Sequence, residues 1–418
     1  MNKIKRLFKL LGPGFITGAS DDDPSGIATY SQTGALFGFG QLWTAPFSFP
    51  LMAAIQEMCG RIGLVSGKGL AGVIKANYSK KVLYLAVFLL IIANTINIGA
   101  DLGAMAASAQ LLFGLPFVFW LLFMVVTILL LEVFVSYKTY STYLKYLTFA
   151  LFSYVATAFA MKVDWRTVFF STVFPHLELN KAYLLNIVAI LGTTISPYLF
   201  FWQASEEVEE EVEHHKLRAM GAGQPKVTPK DISRLRLDTI IGMFFSNLIM
   251  WFIIIATGAT LFPHGINAIK SASDAAIALK PFAGDFTFFL FALGIIGTGL
   301  LAVPILSGSA SYAISESFGW KEGLYMKLKK AHGFYGVITI ATLIGVLINF
   351  IGISPITALY YTAVINGIIA PPLLVIILFI ANNKKIMGER VNNSLLNILG
   401  IVTIAVMSVA ALALLWTK

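Results

Sequence analysis

The stretch "GASDDDPSGIAT", residues 18–29, sets three consecutive carboxylates, a proline and a glycine inside the first apolar run of a very hydrophobic chain. Proline removes an amide donor and clashes with the preceding turn, so a helix entering this stretch breaks at Pro24, with Gly26 just beyond. The sixth apolar run carries a matching interruption, "LGTTISPYLFF", residues 191–201, in which Gly192, Thr193, Thr194, Ser196 and Pro197 fall in mid-span. Irregular backbone at membrane depth survives only against a cavity or buried in protein, because its free carbonyls and amides need partners.

The membrane setting follows from composition. Of 418 residues, 57% are hydrophobic and 12% charged, with a mean hydropathy of +0.80; a soluble domain carries about a quarter charged residues. A single cysteine, Cys59, excludes an internal disulfide and a cysteine-built metal centre, and five scattered histidines form no HExxH-like cluster. No enzyme signature is present and no cofactor is called for. The basic N-terminal start followed by a short apolar run resembles a signal peptide, but it ends in Asp21-Asp22-Asp23 rather than at small residues, so it reads as retained.

Apolar runs long enough for about 30 Å of hydrocarbon predict about eleven helices. They fall at 7–38 (interrupted), 41–62, 82–110, 116–136, 142–162, 182–212 (interrupted), 237–262, 286–312, 333–352, 355–382 and 393–416. No connection is long enough for a second domain. Lys3, Lys5, Arg6 and Lys9 precede the first span, Arg61, Lys68, Lys75, Lys80 and Lys81 follow the second, and Lys138 and Lys145 flank the fourth turn. Lys216 to Arg236, Lys321 to Lys330, and Lys384, Lys385 and Arg390 continue the alternation, whereas "FGFG" and "FGLP" on the other side carry no charge. The positive-inside rule then predicts a multi-pass cell-membrane protein with its N-terminus in the cytoplasm and its C-terminus outside. This placement accounts for the formal charge of +9 without a nucleic-acid partner.

Eleven spans parse as five plus five plus one. Five spans per repeat bring the second copy in from the opposite side, so repeats over about 7–162 and 182–382 would be inverted, with 393–416 as an additional helix. The first span of each repeat is then a broken one, which points to a central substrate site. A charged Asp at the bilayer centre costs on the order of 3 kcal/mol, and no Lys or Arg lies near Asp23 in sequence, so a cation from solution is its simplest partner. Asp21, Asp22 and Asp23 would project about 100° apart on a helix, so they do not share one task. Asp23, beside Pro24, is best placed at the break; Asp21 and Asp22 line the water path or take up protons.

These residues resemble the NRAMP family of divalent metal ion transporters, whose LeuT-type fold works by alternating access. The resemblance runs through "GPGF" at Gly12–Phe15, "DPSG" at Asp23–Gly26, "QEMCGRIGLVSGKGL", "GADLGAMAASAQLLFGLP", "GTTISPY" and "LDTIIGMFFSNLI". It implies that Asp23 binds metal, while Gly26 stands where the family has a metal-binding Asn. Ser196 replaces the family's metal-contacting methionine, Tyr198 the adjacent histidine and Gln203 a second histidine; Asp101 matches a glutamate, and Asn366 lies close to Ala363, where the family has a glutamine. Removing a thioether leaves an all-oxygen set suited to hard cations, and a roomier site suits magnesium, which keeps its waters. The pattern is similar to the NRAMP-related magnesium transporters. The expectation is therefore a wide, oxygen-lined site for magnesium, or else manganese, with little proton coupling because both histidines are absent. The ligands expected are Asp23, carbonyls near Ser20 and Thr193, and hydroxyls of Ser196 and Thr194.

A proton-coupled manganese or iron importer of the ordinary NRAMP type is the nearest rival, followed by an organic-solute symporter of the same fold or a metal sensor that does not transport. "SEEVEEEVEHHK", residues 205–216, reads mainly as a solvated acidic face, with Glu206 and Glu207, nearest the membrane, as members of a cation-concentrating vestibule. Glu57 and Arg61 have the spacing of a helical ion pair. The lipid bilayer and the metal ion are the only partners implied; sequence is silent on oligomeric state.

Overall fold

The protein, described by a computed structural model over residues 12–135 and 151–416, is built from helices, with no strand among the described residues. The helices named below are α1 (Pro13–Asp21), α2 (Pro24–Phe37), α3 (Thr44–Ser66), α4 (Leu70–Asn77), α5 (Lys80–Phe113), α6 (Phe117–Phe134) and α7 (Phe152–Ala160). They continue with α8 (Lys181–Thr194), α9 (Pro197–Glu213), α10 (Pro229–Thr260), α11 (Thr287–Phe318), α12 (His332–Leu347), α13 (Pro355–Asn382) and α14 (Ser394–Trp416).

Both interruptions fall where the prolines put them. Helix α1 stops at Asp21 and α2 restarts at Pro24; α8 stops at Thr194 and α9 restarts at Pro197. In each restart the proline occupies the first turn, where its missing amide costs nothing. Eight segments among the described residues are long and apolar enough to cross a membrane by length and composition, the α8–α9 pair being one of them. Of the eleven predicted spans, the first falls short because three aspartates interrupt it, and the second because Gln56, Glu57 and Arg61 dilute it. The fifth is described only from residue 151, as α7; its first part, Lys138, Lys145 and the basic N-terminal residues lie outside the described residues.

Burial sorts centre from periphery. The most apolar window of α8–α9 is 83% buried within the protein, against 28% for α6 and 22% for α14. Phe119, Phe123 and Phe134 of α6 and Ile398, Val409 and Leu412 of α14 point outward, as lipid-facing side chains do. In lipid, helices associate by close packing of small residues. A Cβ added at Gly18 of α1 would lie 2.3 Å from the Gly242 carbonyl carbon of α10, and one added at Gly192 of α8 would lie 2.3 Å from the Gly367 amide of α13. Those two contacts bring both broken helices against continuous ones, and so fix the two breaks in space.

The expected Glu57–Arg61 pair forms, with Arg61 Nε 3.2 Å from Glu57 Oε1. Arg61 also donates to the Arg390 carbonyl and the Asn392 side chain, and Arg236 reaches the same glutamate. Its role is structural, tying α3 to α10 and to the connection before α14. The acidic run differs from expectation. Glu206, Glu207 and Glu211 are buried rather than solvated, because α9 packs against α3, α4, α5 and α11 at this level. Glu207 accepts from Gln203 at 2.9 Å, while Glu209 accepts from the Tyr312 hydroxyl and the Leu324 and Tyr325 amides. Glu209 ties α9 to α11 and the loop that follows it, whereas the Gln203–Glu207 bond lies within α9.

Candidate metal site

Asp23 joins the two breaks. Its backbone is extended (φ −64°, ψ 172°), and as the N-cap of α2 its Oδ1 accepts from Gly26 N at 2.7 Å and Ser25 Oγ at 2.6 Å. Its Oδ2 accepts from Asn97 Nδ2 of α5 at 3.0 Å. The carboxylate is thus held by two amide N–H groups and a hydroxyl at the N-terminal end of α2, an arrangement that fixes its direction. The second break lies against the first: Ser25 Oγ and Thr193 Oγ1 are 3.3 Å apart. A Cβ at Gly26 would sit 3.1 Å from the Asp21 carbonyl oxygen and 3.4 Å from Thr193 Oγ1, so the start of α2 lies close to both breaks.

The other predicted residues divide. The Ser20 carbonyl faces the second break, accepting from Tyr198 OH at 2.9 Å. Ser196 Oγ donates to the carbonyls of Gly192 and Thr193 at 2.8 Å each. A carbonyl oxygen has two lone pairs, so Ser20 and Thr193 each keep one for a cation. The Thr194 hydroxyl donates back to the Ile190 carbonyl of its own helix at 2.8 Å, much as Ser196 donates to carbonyls of its own turn. Breadth is corrected. Asp23 is 1% exposed and the breaks are in contact, so this conformation holds the site closed.

The three aspartates diverge. Asp21 Oδ2 accepts from Ser246 of α10 at 2.6 Å, and Asp22 Oδ1 takes a longer bond from the same hydroxyl at 3.4 Å. Asp101, one turn beyond Asn97 on α5, is buried with both carboxylate oxygens unpartnered among the described residues. Asn366 on α13 is buried with its Nδ2 unpartnered, and Gln203 leaves its Oε1 unpartnered. Within the described residues no three His, Cys, Asp or Glu side chains converge as a preformed cage. No Lys, Arg or His pairs with Asp21, Asp22, Asp23 or Asp101 there either. The break therefore offers one aimed carboxylate surrounded by neutral oxygens.

Sequence reasoning missed Asn97, Ser246 and Asp238. The last caps α1 from another helix, its Oδ1 accepting from Gly12 N at 2.9 Å and its Oδ2 from Gly14 N at 2.8 Å. Asn97 and Asp101 do share a four-residue spacing on one helix face, a signal available in "NIGAD".

Paired broken helices meeting at buried, uncompensated carboxylates inside an all-helical membrane bundle define a multi-pass membrane transporter rather than an enzyme. The fold is shared with the manganese transporter of Eremococcus coleocola, with a TM-score of 0.76 at 16% identity over 98% of this chain and 86% of that one. The nucleobase-cation-symport-1 family transporter Mhp1 superposes with a TM-score of 0.58 at 11% identity, covering 98% of this chain and 92% of that one. The chain belongs to the Nramp family, the family model "Natural resistance-associated macrophage protein-like" matching residues 14–417. It is similar to the divalent metal cation transporter MntH of Caldanaerobacter subterraneus subsp. tengcongensis, 24% identical over 96% of this chain and 90% of that protein. The MntH of Clostridium acetobutylicum is 25% identical over 96% of this chain and 88% of its own.

Proposed function

We propose that the chain carries a divalent metal cation across the cell membrane by alternating access, binding it between the two breaks with Asp23 as the charged anchor. The observation that carries this reading is Asp23 itself: buried, held by three donors, and faced by no basic side chain among the described residues. The Ser20 and Thr193 carbonyls and the Ser196 hydroxyl complete an oxygen set around it. Asp21, Asp22 and Asp101 line the approach, with Tyr198, Gln203, Asn366, Glu206 and Glu207 along the path. The basic loops favour a cytoplasmic N-terminus and an external C-terminus.

Manganese is the cargo that the relatives' names support, as in an ordinary member of the family, and oxygen ligands suit it. Magnesium is a second reading, favoured by Ser196 at the position where the family resemblance puts a thioether. Purified protein in liposomes is expected to show saturable Mn2+ uptake that excess Mg2+ competes for weakly, with a pH-sensitive dye inside reporting any coupled proton. Stronger competition by Mg2+ than by Mn2+ would support the second reading, and absence of flux for both would overturn the transport mechanism. Ser196→Met is expected to raise Cd2+ uptake relative to Mn2+ by about tenfold, because a soft sulfur enters an oxygen set. An unchanged ratio in well-folded protein would remove position 196 from the ion's surroundings.

A further inference from the structure

We propose that Asn97 is a metal ligand, supplying from α5 the side-chain amide oxygen that Gly26 does not provide. The inference rests on the reading of Asp23 as anchor and adds a donor from a third helix. Asn97 is wholly buried, and its Nδ2 donates to Asp23 Oδ2 at 3.0 Å. The nitrogen is spent on Asp23, which leaves the oxygen of the same amide pointing away from it. That Oδ1 is buried and, among the described residues, has no hydrogen-bond partner. Buried amide oxygens rarely go unpaired, and one that does so beside a carboxylate anchor calls for a functional explanation.

Geometry permits the role. Amide oxygen and nitrogen lie about 2.2 Å apart, which places Asn97 Oδ1 within about 5 Å of Asp23 Oδ2. The terminal torsion of Asn is soft, so a cation on Asp23 can be met by a turn of the amide that exchanges Nδ2 for Oδ1. Gly26 on α2 has no side chain to offer; a Cβ there would lie 3.1 Å from the Asp21 carbonyl oxygen and 3.3 Å from the Tyr30 ring of the same broken helix. Hard divalent cations need several oxygens, and a neutral amide adds one without adding charge to a site that already holds Asp21, Asp22, Asp23 and Asp101.

The experiment uses the full chain in detergent and liposomes, with Asn97→Leu, Asn97→Cys and Asp23→Asn, each checked for a wild-type size-exclusion profile. Asn97→Leu is expected to raise KM for Mn2+ about ten- to hundredfold, the range for losing a residue that holds or orients a metal ligand. Asn97→Cys carries the decisive readout. A thiolate at the ion gives a cadmium–thiolate absorption band on titration and raises the Cd2+ to Mn2+ uptake ratio at least about tenfold. The native Cys59 is buried, so wild-type protein supplies the baseline. If Asn97 only steadies Asp23, Asn97→Cys weakens uptake of both ions alike and shows no new band, which overturns the proposal. If Asn97→Leu does not fold, the cysteine variant still decides. Wild-type uptake in Asp23→Asn would instead defeat the anchor on which the proposal rests, whereas loss of uptake there with unchanged Asn97 variants defeats the ligand assignment alone.

Discussion

Replacing Asp23 by asparagine is expected to lower divalent cation uptake more than about a hundredfold while leaving the amount of folded protein unchanged. The two halves of this expectation come from different atoms. As a cap, Asp23 needs only an acceptor at Oδ1 for Ser25 Oγ and Gly26 N, and an asparagine carbonyl supplies one. The new amide nitrogen would then face Asn97 Nδ2, but Asn97 can turn to present its unpaired Oδ1, restoring a hydrogen bond. The helix start therefore survives. The charge does not, and removing one partner of a buried ion pair costs about 3–5 kcal/mol, more than two decades in affinity. Stability should hold or rise, since an isolated Asp at membrane depth costs on the order of 3 kcal/mol. Thermal melting and tracer uptake on the same preparation check both halves. Asp23→Ala should lose uptake equally and about 1 kcal/mol of stability as well, because it also removes the cap. Uptake at the wild-type rate in either variant would sink Asp23 as the anchor.

The features legible in the sequence are those that proline and glycine impose locally. Pro24 and Pro197 fixed both breaks to within a residue or two, since no partner is needed to make proline unfit for a helix interior. Side-chain directions were not legible. Thr194 looks like a site hydroxyl in "GTTISP", yet it satisfies the Ile190 carbonyl of its own turn, a local alternative always open to Thr in a helix. Asn97 meets Asp23 across 74 residues of chain, and Asp238 meets Gly12 across 226. Neither pairing has a periodicity or a motif to announce it. The acidic run was misjudged for a related reason. Six glutamates within eight residues look solvated until the partners of Glu209, the Tyr312 hydroxyl and two backbone amides of a distant loop, are in place.

Gly26 and Asn97 bear on one another in the same way. Read alone, a glycine in place of a ligand looks like a loosened site. With the breaks in contact at 3.3 Å between Ser25 and Thr193, the site is closed around Asp23 rather than loosened, and the amide nearest Asp23 is that of Asn97 on α5. If Asn97 is a ligand as proposed, α1–α2, α8–α9 and α5 would each supply an oxygen to the ion.

Asp238→Ala is expected to release α1 from α10 and raise hydrogen exchange across residues 14–21 by about 30-fold or more. No side chain of its own caps α1, and Asp238 supplies the cap in trans, one carboxylate oxygen to each of the Gly12 and Gly14 amides. Hydrogen bonds to a charged group contribute about 1.5–3 kcal/mol each, and water recovers part of the loss, leaving about 2–4 kcal/mol. The remaining polar ties of α1 to other helices, among the described residues, are Ser246 to Asp21 and Tyr198 to the Ser20 carbonyl. Both lie at the break, so without Asp238 the other end of α1 is held only by packing, at Gly14 on Thr239 and Gly18 on Gly242. A short helix pinned at its inner end and freed at its outer end opens toward the basic loops. Asp238→Asn keeps one acceptor oxygen and should show about half the effect in free energy. Exchange in Asp238→Ala matching wild type across residues 14–21 would mean that packing alone holds α1. If the opening is the one transport uses, the same variant weakens Mn2+ binding, since α1 carries the Ser20 carbonyl and Asp21 away from Asp23.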